Sequence, residues 1–361
     1  MFLKNGWYAA AWSHELKEKP LARTYLGEKV VLFRTEDGVP AALEDRCCHR
    51  AAPLSKGEVV GDRLACGYHG LQFSTDGRCV LIPGQDRIPP KACVRSYPMV
   101  ERWGALWIWM GQRELADPDK IPDLYWLQSD EWTATPGYIH LKANYQLLVD
   151  NLLDLTHVTY VHRNTIAGDP REATVPTKVE ALEDGVKVGR MMIDFVPPPL
   201  FAKAGGFTGN VDRWQWVTWR APSNVYLDVG AAPTGTGAPE GDRSQGITIW
   251  STHLITPETD TTTHYLFCYS RNFKVGDPEM SKLLFEGSKK TFLEDADMLE
   301  AEQRNLNGGS LEGLVDIAAD AAQLRARRML RQMIEAEREA APAETAAVRS
   351  VPLMVEPQTC S

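Results

Sequence analysis

The densest set of potential metal ligands lies in Cys47-Cys48-His49-Arg50 and, sixteen residues on, Cys66-Gly67-Tyr68-His69-Gly70. These are C-x-H and C-x-x-H spacings. Two thiolates and two imidazoles so placed can close around one compact metal centre. A mononuclear zinc site is one reading. Zinc ribbons and fingers, however, open with C-x2-4-C, whereas each short loop here offers one Cys and one His. That order suits a [2Fe–2S] cluster in which two Cys hold one iron and two His the other.

A second set falls at 149–162, Val-Asp-Asn-Leu-Leu-Asp-Leu-Thr-His-Val-Thr-Tyr-Val-His. His157 and His162 are five residues apart, with Asp154 one helical turn before the first. A lone His in such an apolar stretch is an ordinary core histidine; two so spaced also fit a metal site. On a helix, i and i+3 share a face, so the Asp154 carboxylate is expected to hydrogen-bond the free ring nitrogen of His157. Two His and a carboxylate are the ligands of the non-haem Fe(II) facial triad, which leaves positions open for O2 and substrate. The third ligand must come from elsewhere. The candidate stretch is Thr291-Phe292-Leu293-Glu294-Asp295-Ala296-Asp297-Met298-Leu299-Glu300. One helix cannot aim both Asp295 and Asp297 at one ion, and by itself the stretch also reads as a solvated acidic face.

The elements that must hold these residues are of two kinds. Residues 1–113 read as short β-segments such as Val30–Arg34 and Ala41–Glu44. Thr35-Glu36-Asp37-Gly38 and Ser74-Thr75-Asp76-Gly77 separate such segments as hairpin turns would. Both Cys/His loops lie between strands, Ala105–Met110 is a buried strand that closes the domain, and Cys48 is expected to pack inward. A Pro- and Asp-rich stretch, Asp117–Pro122, follows, and the boundary is set near 114. From 134 to 270 the chain is strand-rich, with one helical interruption at about 143–162. Helices resume at 278–306 and 316–338, the second with a core-facing Met and Leu stripe. The Ala-, Glu- and Pro-rich segment 341–361 is expected to be a loose tail. The fold class is α+β: an all-β domain at 1–113, then at 114–340 an antiparallel sheet flanked by helices in a helix-grip, START-like arrangement.

Length and charge narrow the function. At 361 residues the chain holds one large domain or two ordinary ones. A net charge of −9 argues against a nucleic-acid partner. No run approaches the roughly 18 apolar residues of a membrane span, and the N-terminus has no signal-peptide core. Seven Cys in a chain this size are not a disulfide framework. Cys48, Cys79, Cys93, Cys268 and Cys360 are expected to be free thiols in a reducing cytoplasm.

C-x-H-R followed by C-x-Y-H-G resembles the Rieske domain of the ring-hydroxylating oxygenase family. The resemblance implies Cys47 and Cys66 as sulfur ligands and His49 and His69 as imidazole ligands of one [2Fe–2S] cluster. Asn151-Leu152-Leu153-Asp154-Leu155-Thr156-His157 with His162 is similar to the family's D/E-N-x-x-D-x-x-H-x4-H motif. It implies one mononuclear Fe(II) held by His157 and His162, with Asp295 as third ligand and Asp297 as its rival. Asn151 is implied near the iron, and Asp154 as the aspartate that connects it to His69 of a neighbouring subunit. The resemblance runs from Asn5-Gly6-Trp7-Tyr8 to about residue 338 and is strongest to the family's short, single-subunit-type members. These oxidise methyl, methoxy or N-alkyl groups of substituted aromatics, and include oxygenases for toluenesulfonate, vanillate and dicamba. In that group Arg220 and His253 fall at substrate-contacting positions; their plain readings are a surface Arg and a packed His. The chain shows no G-x-G-x-x-G fingerprint for flavin or nicotinamide. The expected partners are therefore a separate NAD(P)H-dependent flavin/iron–sulfur reductase, with or without a ferredoxin, and two more copies of the chain in a homotrimer. A cis-dihydroxylating dioxygenase and a Rieske electron carrier are the alternatives. A carrier has no use for the second ligand set.

Overall fold

The computed structural model describes residues 1–306 and 314–340. The segment expected to be a loose tail, 341–361 with Cys360, lies outside them. The chain divides into two compact units, one of Met1–Pro122 with the segment from Arg331, the other of Asp123–Leu330.

The first unit is built on short strands: β1 (Trp7–Trp12), β2 (Leu21–Tyr25), β3 (Glu28–Arg34), β4 (Pro40–Glu44), β5 (Glu58–Val60), β6 (Arg63–Ala65), β7 (Gln72–Phe73), β8 (Cys79–Leu81), β9 (Ser96–Tyr97), β10 (Met99–Arg102) and β11 (Ala105–Trp109). They pair into three sheets, ordered β1-β11-β10, β2-β3-β4-β9 and β5-β6-β7-β8. Both expected turns form: Gly38 N–H donates to Thr35 O and Gly77 N–H to Ser74 O, each at 2.9 Å. β11 is buried along its whole length. One core cluster, with Val31, Phe33, Leu43, Leu54, Leu64 and Phe73, also takes in Cys47 and Cys66. Apolar packing thus anchors the two loops at their cysteines.

The second unit carries β12 (Thr133–Leu141), α1 (Tyr145–Leu153), α2 (Val158–Val161), β13 (Lys178–Ala181), β14 (Gly185–Phe195), α3 (Pro199–Gly205), β15 (Val211–Arg220), β16 (Asn224–Pro233), β17 (Ile247–Thr259), β18 (Thr262–Arg271), α4 (Pro278–Asn305) and the first half of α5 (Ala321–Ala340), whose residues from Arg331 count with the first unit. Its seven strands form one antiparallel sheet, ordered β12-β18-β17-β16-β15-β14-β13. The expected fold class is what the structure shows: an all-β domain, then a large antiparallel sheet with helices.

Register decides what the sheet presents. Val217 pairs with Leu227, Leu227 with Ser251 and Ser251 with Tyr269. Side chains alternate between faces with period two, so Arg213, Gln215, Leu227, Ser251, His253 and Tyr269 share one face. Helix α4 packs on it through Phe292, whose ring centroid lies 5.1 Å from His253 and 4.9 Å from Phe267. Asp277 starts α4 by accepting from the N–H groups of Glu279 and Met280. On the opposite face Trp126 stacks on Trp250 at 4.1 Å and donates to Thr252 Oγ1 at 2.9 Å.

The stretch 143–162 is not one continuous helix. α1 ends at Leu153, Asp154 is extended at φ −91° and ψ 106°, and α2 is a separate four-residue turn. The Asp154 carboxylate accepts from Thr156 N–H and Oγ1, both at 2.7 Å. Such local side-chain bonds compete with helix hydrogen bonds. Cys93 is held in a disulfide, against the expectation of a free thiol. Cys48, Cys79 and Cys268 are free.

Candidate active site: a cluster-binding pair of loops and a His/Asp triad

The two Cys/His loops of the first unit share one backbone design. Cys47 N–H donates to Ala52 O at 2.8 Å and Ala51 N–H to Cys47 O at 2.9 Å. In the second loop Cys66 N–H donates to Leu71 O at 2.7 Å and Gly70 N–H to Cys66 O at 2.9 Å. Ala51 and Gly70, four residues after their Cys, both turn through the left-handed region at φ 56° and 72°. The loops differ in where the His sits, two residues after Cys47 and three after Cys66. Gly67 allows a close approach of backbone, because a Cβ there would lie 2.6 Å from Lys56 O.

This design sorts the ligands by depth. Cys47 and Cys66 are buried, at 3% and 2% exposure, while His49 and His69 are exposed with ring centroids 4.7 Å apart. A buried sulfur pair beside an exposed imidazole pair fits two metal ions of unlike ligation. Four donors on one zinc have no reason to segregate. Burial pushes the Cys47 thiol up to about 11, so a thiolate there would need a cationic partner such as a cluster iron. Cys48 is exposed and does not pack inward as expected, because its loop turns tightly where an extended one was assumed. Tyr68, 65% exposed, lies against His69 with ring centroids 4.0 Å apart.

In the second unit His157, His162 and Asp295 converge, with ligand atoms all within 4.8 Å of one another. The separations are 3.2 Å between the two Nε2 atoms, 3.0 Å from His162 Nε2 to Asp295 Oδ1 and 3.5 Å from His157 Nε2 to the same oxygen. Donors about 2.1 Å from one ion and at right angles stand about 3.0 Å apart, so the three atoms are close enough together to share one ion with positions left open. Asp295 is buried on α4, whereas Asp297 is exposed; on one helix they cannot face the same way.

Each of the three side chains is held from behind. His157 Nδ1 bonds the backbone carbonyl of Asp154 at 2.5 Å. The expected partner was the Asp154 carboxylate, but the extended backbone at Asp154 breaks the i,i+3 relation and turns the carboxylate to Thr156. His162 Nδ1 bonds Glu294 Oε2 at 2.9 Å, and Thr165 Oγ1 donates to the same oxygen at 2.8 Å. Carbonyl and carboxylate partners on Nδ1 leave Nε2 of both rings aimed at the centre. Asn151 Nδ2 donates to Asp295 Oδ1 at 3.1 Å. Asn151 Oδ1 is buried with no partner among the described residues. Burial alone would raise the Asp295 carboxyl; His157 and His162 outweigh it and hold it down at about 2. Burial alone would lower the pKa of His162, but Asp295 and Glu294 raise it above the usual imidazole value.

The triad opens on a cavity walled by Leu155, Ile166, Phe201, Leu227, Val229 and Phe292, with Arg213, Gln215, Ser251 and His253 among its polar groups. His253 is fully buried and bonds Ser251 Oγ at 2.8 Å and Tyr265 OH at 2.6 Å. Burial drops its pKa to about 3, so the ring is neutral at physiological pH. Arg220 is not brought to this wall. An even-numbered β15 residue, it lies on the opposite pleat from Arg213 and Gln215 and pairs with Asp184.

Sequence reasoning missed Glu294 as a partner of His162, and it missed Arg190, Arg213, Gln215 and Glu172 altogether. A signal existed for two of them. In Arg213-Trp214-Gln215-Trp216 polar and aromatic residues alternate, which marks one pleat of a buried strand as polar.

Residues 6–98 match the Rieske [2Fe-2S] domain and residues 141–336 the vanillate O-demethylase oxygenase C-terminal domain. The chain is 46% identical to a putative toluene-4-sulfonate monooxygenase system iron-sulfur subunit from Comamonas testosteroni, over 93% of this chain and 98% of that one. It is 41% identical to a vanillate O-demethylase oxygenase subunit from Pseudomonas sp. (strain HR199 / DSM 7063), over 95% and 98%. The crystal structure of dicamba monooxygenase bound to 3,6-dichlorosalicylic acid superposes with a TM-score of 0.88 at 37% identity, covering 93% of this chain and 99% of that one. Among the described residues no helix is long and apolar enough to cross a membrane. With a Rieske domain, the vanillate O-demethylase type of C-terminal domain and full-length similarity to such subunits, the chain belongs to the family of oxygenase components of Rieske non-haem iron monooxygenases.

Proposed function

We propose that this oxygenase component oxidises a methyl, methoxy or N-alkyl group of a substituted aromatic, with one mononuclear Fe(II) held by His157, His162 and Asp295. The observation that carries the reading is the triad itself: three donors 3.0–3.5 Å apart, facing a largely apolar cavity. Cys47, Cys66, His49 and His69 would hold the [2Fe–2S] cluster. When bound, the iron supplies O2 activation, with electrons delivered through the cluster from a separate NAD(P)H-dependent reductase.

The chain's own residues do the rest. The Asp154 carbonyl and the Glu294 carboxylate keep a proton on Nδ1 of His157 and His162. Asn151 holds the ligating oxygen of Asp295. Asp154, partly exposed and bonded through its carbonyl to the His157 ring, is the proposed link to His69 of a neighbouring copy in a homotrimer. Leu155, Val158, Ile166 and Phe292 exclude water from the aromatic. His253, neutral and on the cavity wall, is the proposed substrate contact; Arg220, on the other pleat, is not.

The test is product analysis with a surrogate reductase, NADH and O2. The panel is vanillate, toluene-4-sulfonate, a chlorinated methoxybenzoate and an N-alkyl chloroacetanilide. Aldehyde release with loss of the alkyl group identifies a dealkylase, and a hydroxymethyl product identifies a methyl hydroxylase. A cis-diol product overturns the reading.

A further inference from the structure

The segment 155–172 carries both His ligands, yet little of it is regular: α2 is four residues long, and one 3-10 turn covers Pro170–Thr174. Something other than secondary structure must hold it. A network of buried charged and polar side chains does so. Arg190 on β14, 2% exposed, donates Nη2 to Leu155 O at 2.9 Å, Nη1 to Glu172 O at 2.5 Å and Nε to Gln215 Oε1 at 2.8 Å. Arg213 on β15, also 2% exposed, donates Nη1 to Glu172 Oε1 at 2.7 Å and Nη2 to Ile166 O at 3.3 Å. Glu172, fully buried, takes the N–H groups of Gly168 and Asp169 on the same oxygen at 3.2 and 3.3 Å.

The placement of these bonds is specific. Leu155 lies two residues before His157, and Ile166 four residues after His162. Both carbonyls are tied to guanidiniums rooted on the rigid sheet. Arg190 and Gln215 are themselves cross-strand partners, so their geometry is set by the β-ladder. A planar guanidinium spreads five donors over three nitrogens in a rigid fork and so fixes the positions of the carbonyls it binds, whereas an ammonium offers three rotatable donors from one nitrogen. Buried charges are costly unless paired, and Glu172 Oε2 and Arg213 Nε have no hydrogen-bond partner among the described residues, a cost that apolar packing in a purely scaffolding role would have avoided.

We propose that Arg190 and Arg213, coupled through Glu172, are positioning residues that set the separation of His157 and His162 by pinning both ends of the ligand segment to the sheet. Gln215 orients Arg190, and because Arg213 and Gln215 also line the cavity, the same network borders the substrate. The inference rests on the triad being the mononuclear metal site.

The test is Co(II) titration of cluster-loaded, full-length protein depleted of mononuclear metal, followed by the d–d bands of the bound ion. Rieske absorbance and thermal midpoint are recorded alongside. Arg190→Gln is expected to weaken Co(II) binding about 10- to 100-fold, as loss of outer-sphere partners commonly does, with cluster absorbance unchanged. Arg190→Lys, which keeps the charge but not the fork, should recover only part of the affinity. Equal Co(II) affinity in Arg190→Gln and parent overturns the proposal, whatever the change in thermal midpoint. If Arg190→Gln does not fold, Gln215→Met removes one acceptor only and must weaken binding in the same direction; unchanged affinity there overturns it equally. A parent protein that binds no Co(II) at the triad defeats the metal assignment instead.

Discussion

The two ligand sets of this chain are built in opposite ways. In the first unit all four proposed ligands come from two short loops between residues 47 and 69, each closed by its own backbone hydrogen bonds. In the second, two ligands stand near residue 160 and the third comes from α4 at 295. Their support comes from Glu294, next to Asp295, and in the proposal above from Arg190 and Arg213, which fall between the two groups of ligands in the chain. A site made of local turns is carried by sequence spacing. A site made across a sheet depends on register and on buried polar contacts that only the whole fold supplies.

The largest effects should separate the two sites cleanly. Asp295→Ala is expected to abolish mononuclear metal binding while Rieske absorbance persists; Asp297→Ala, on the exposed face of α4, should retain both. Metal analysis per chain checks this, and loss of mononuclear metal in Asp297→Ala would reverse the ligand assignment. The reciprocal change, Cys66→Ala, should remove the Rieske absorbance and leave Co(II) binding at the triad intact. If either change empties both sites, the contrast between a local and an assembled centre fails.

Phe292 sharpens the comparison on the packing side. Its ring meets His253, Tyr265, Phe267 and Tyr269, so Phe292→Ala should cost about 3–5 kcal/mol in chemical denaturation. It should also loosen α4, and with it Asp295, before it disturbs the cluster.

A smaller effect is pH-dependent. His253 is buried neutral, with a pKa near 3 in the folded chain against 6.5 when exposed. Between those values the unfolded chain binds the extra proton, so stability falls as pH drops below 6.5. The loss should reach about 2 kcal/mol at pH 5. His253→Gln should flatten that slope in denaturant titrations from pH 7 to pH 5. An unchanged slope would mean that the ring is protonated within the fold. The smallest effect belongs to Arg220. Paired with Asp184 on the far pleat, it should change KM less than about twofold when replaced by Ala, with a stability change within about 1 kcal/mol. A large rise in KM would place it in the cavity after all.

How much was legible follows from this contrast. The C-x-H and C-x-x-H loops, the His157/His162 pair, the all-β first domain and α4 follow from spacing and periodicity, because each is a property of neighbouring residues. The choice of Asp295 over Asp297 was weighed in the sequence and is supported by which side of α4 faces the sheet, since Asp295 is buried beside His157 and His162 and Asp297 is exposed. The helix break at Asp154, the exposure of Cys48 and the pleat of β15 that faces the cavity were not legible. The first two rest on short-range hydrogen bonds that the spacing of hydrophobic residues does not reveal, and the third depends on what packs against the sheet. Residue types and local spacing determined which metals and what chemistry this chain is equipped for. Only the tertiary structure decided which carboxylate completes the triad, which polar groups border the cavity and what holds the ligand segment in place, because those contacts join residues that the chain itself keeps far apart.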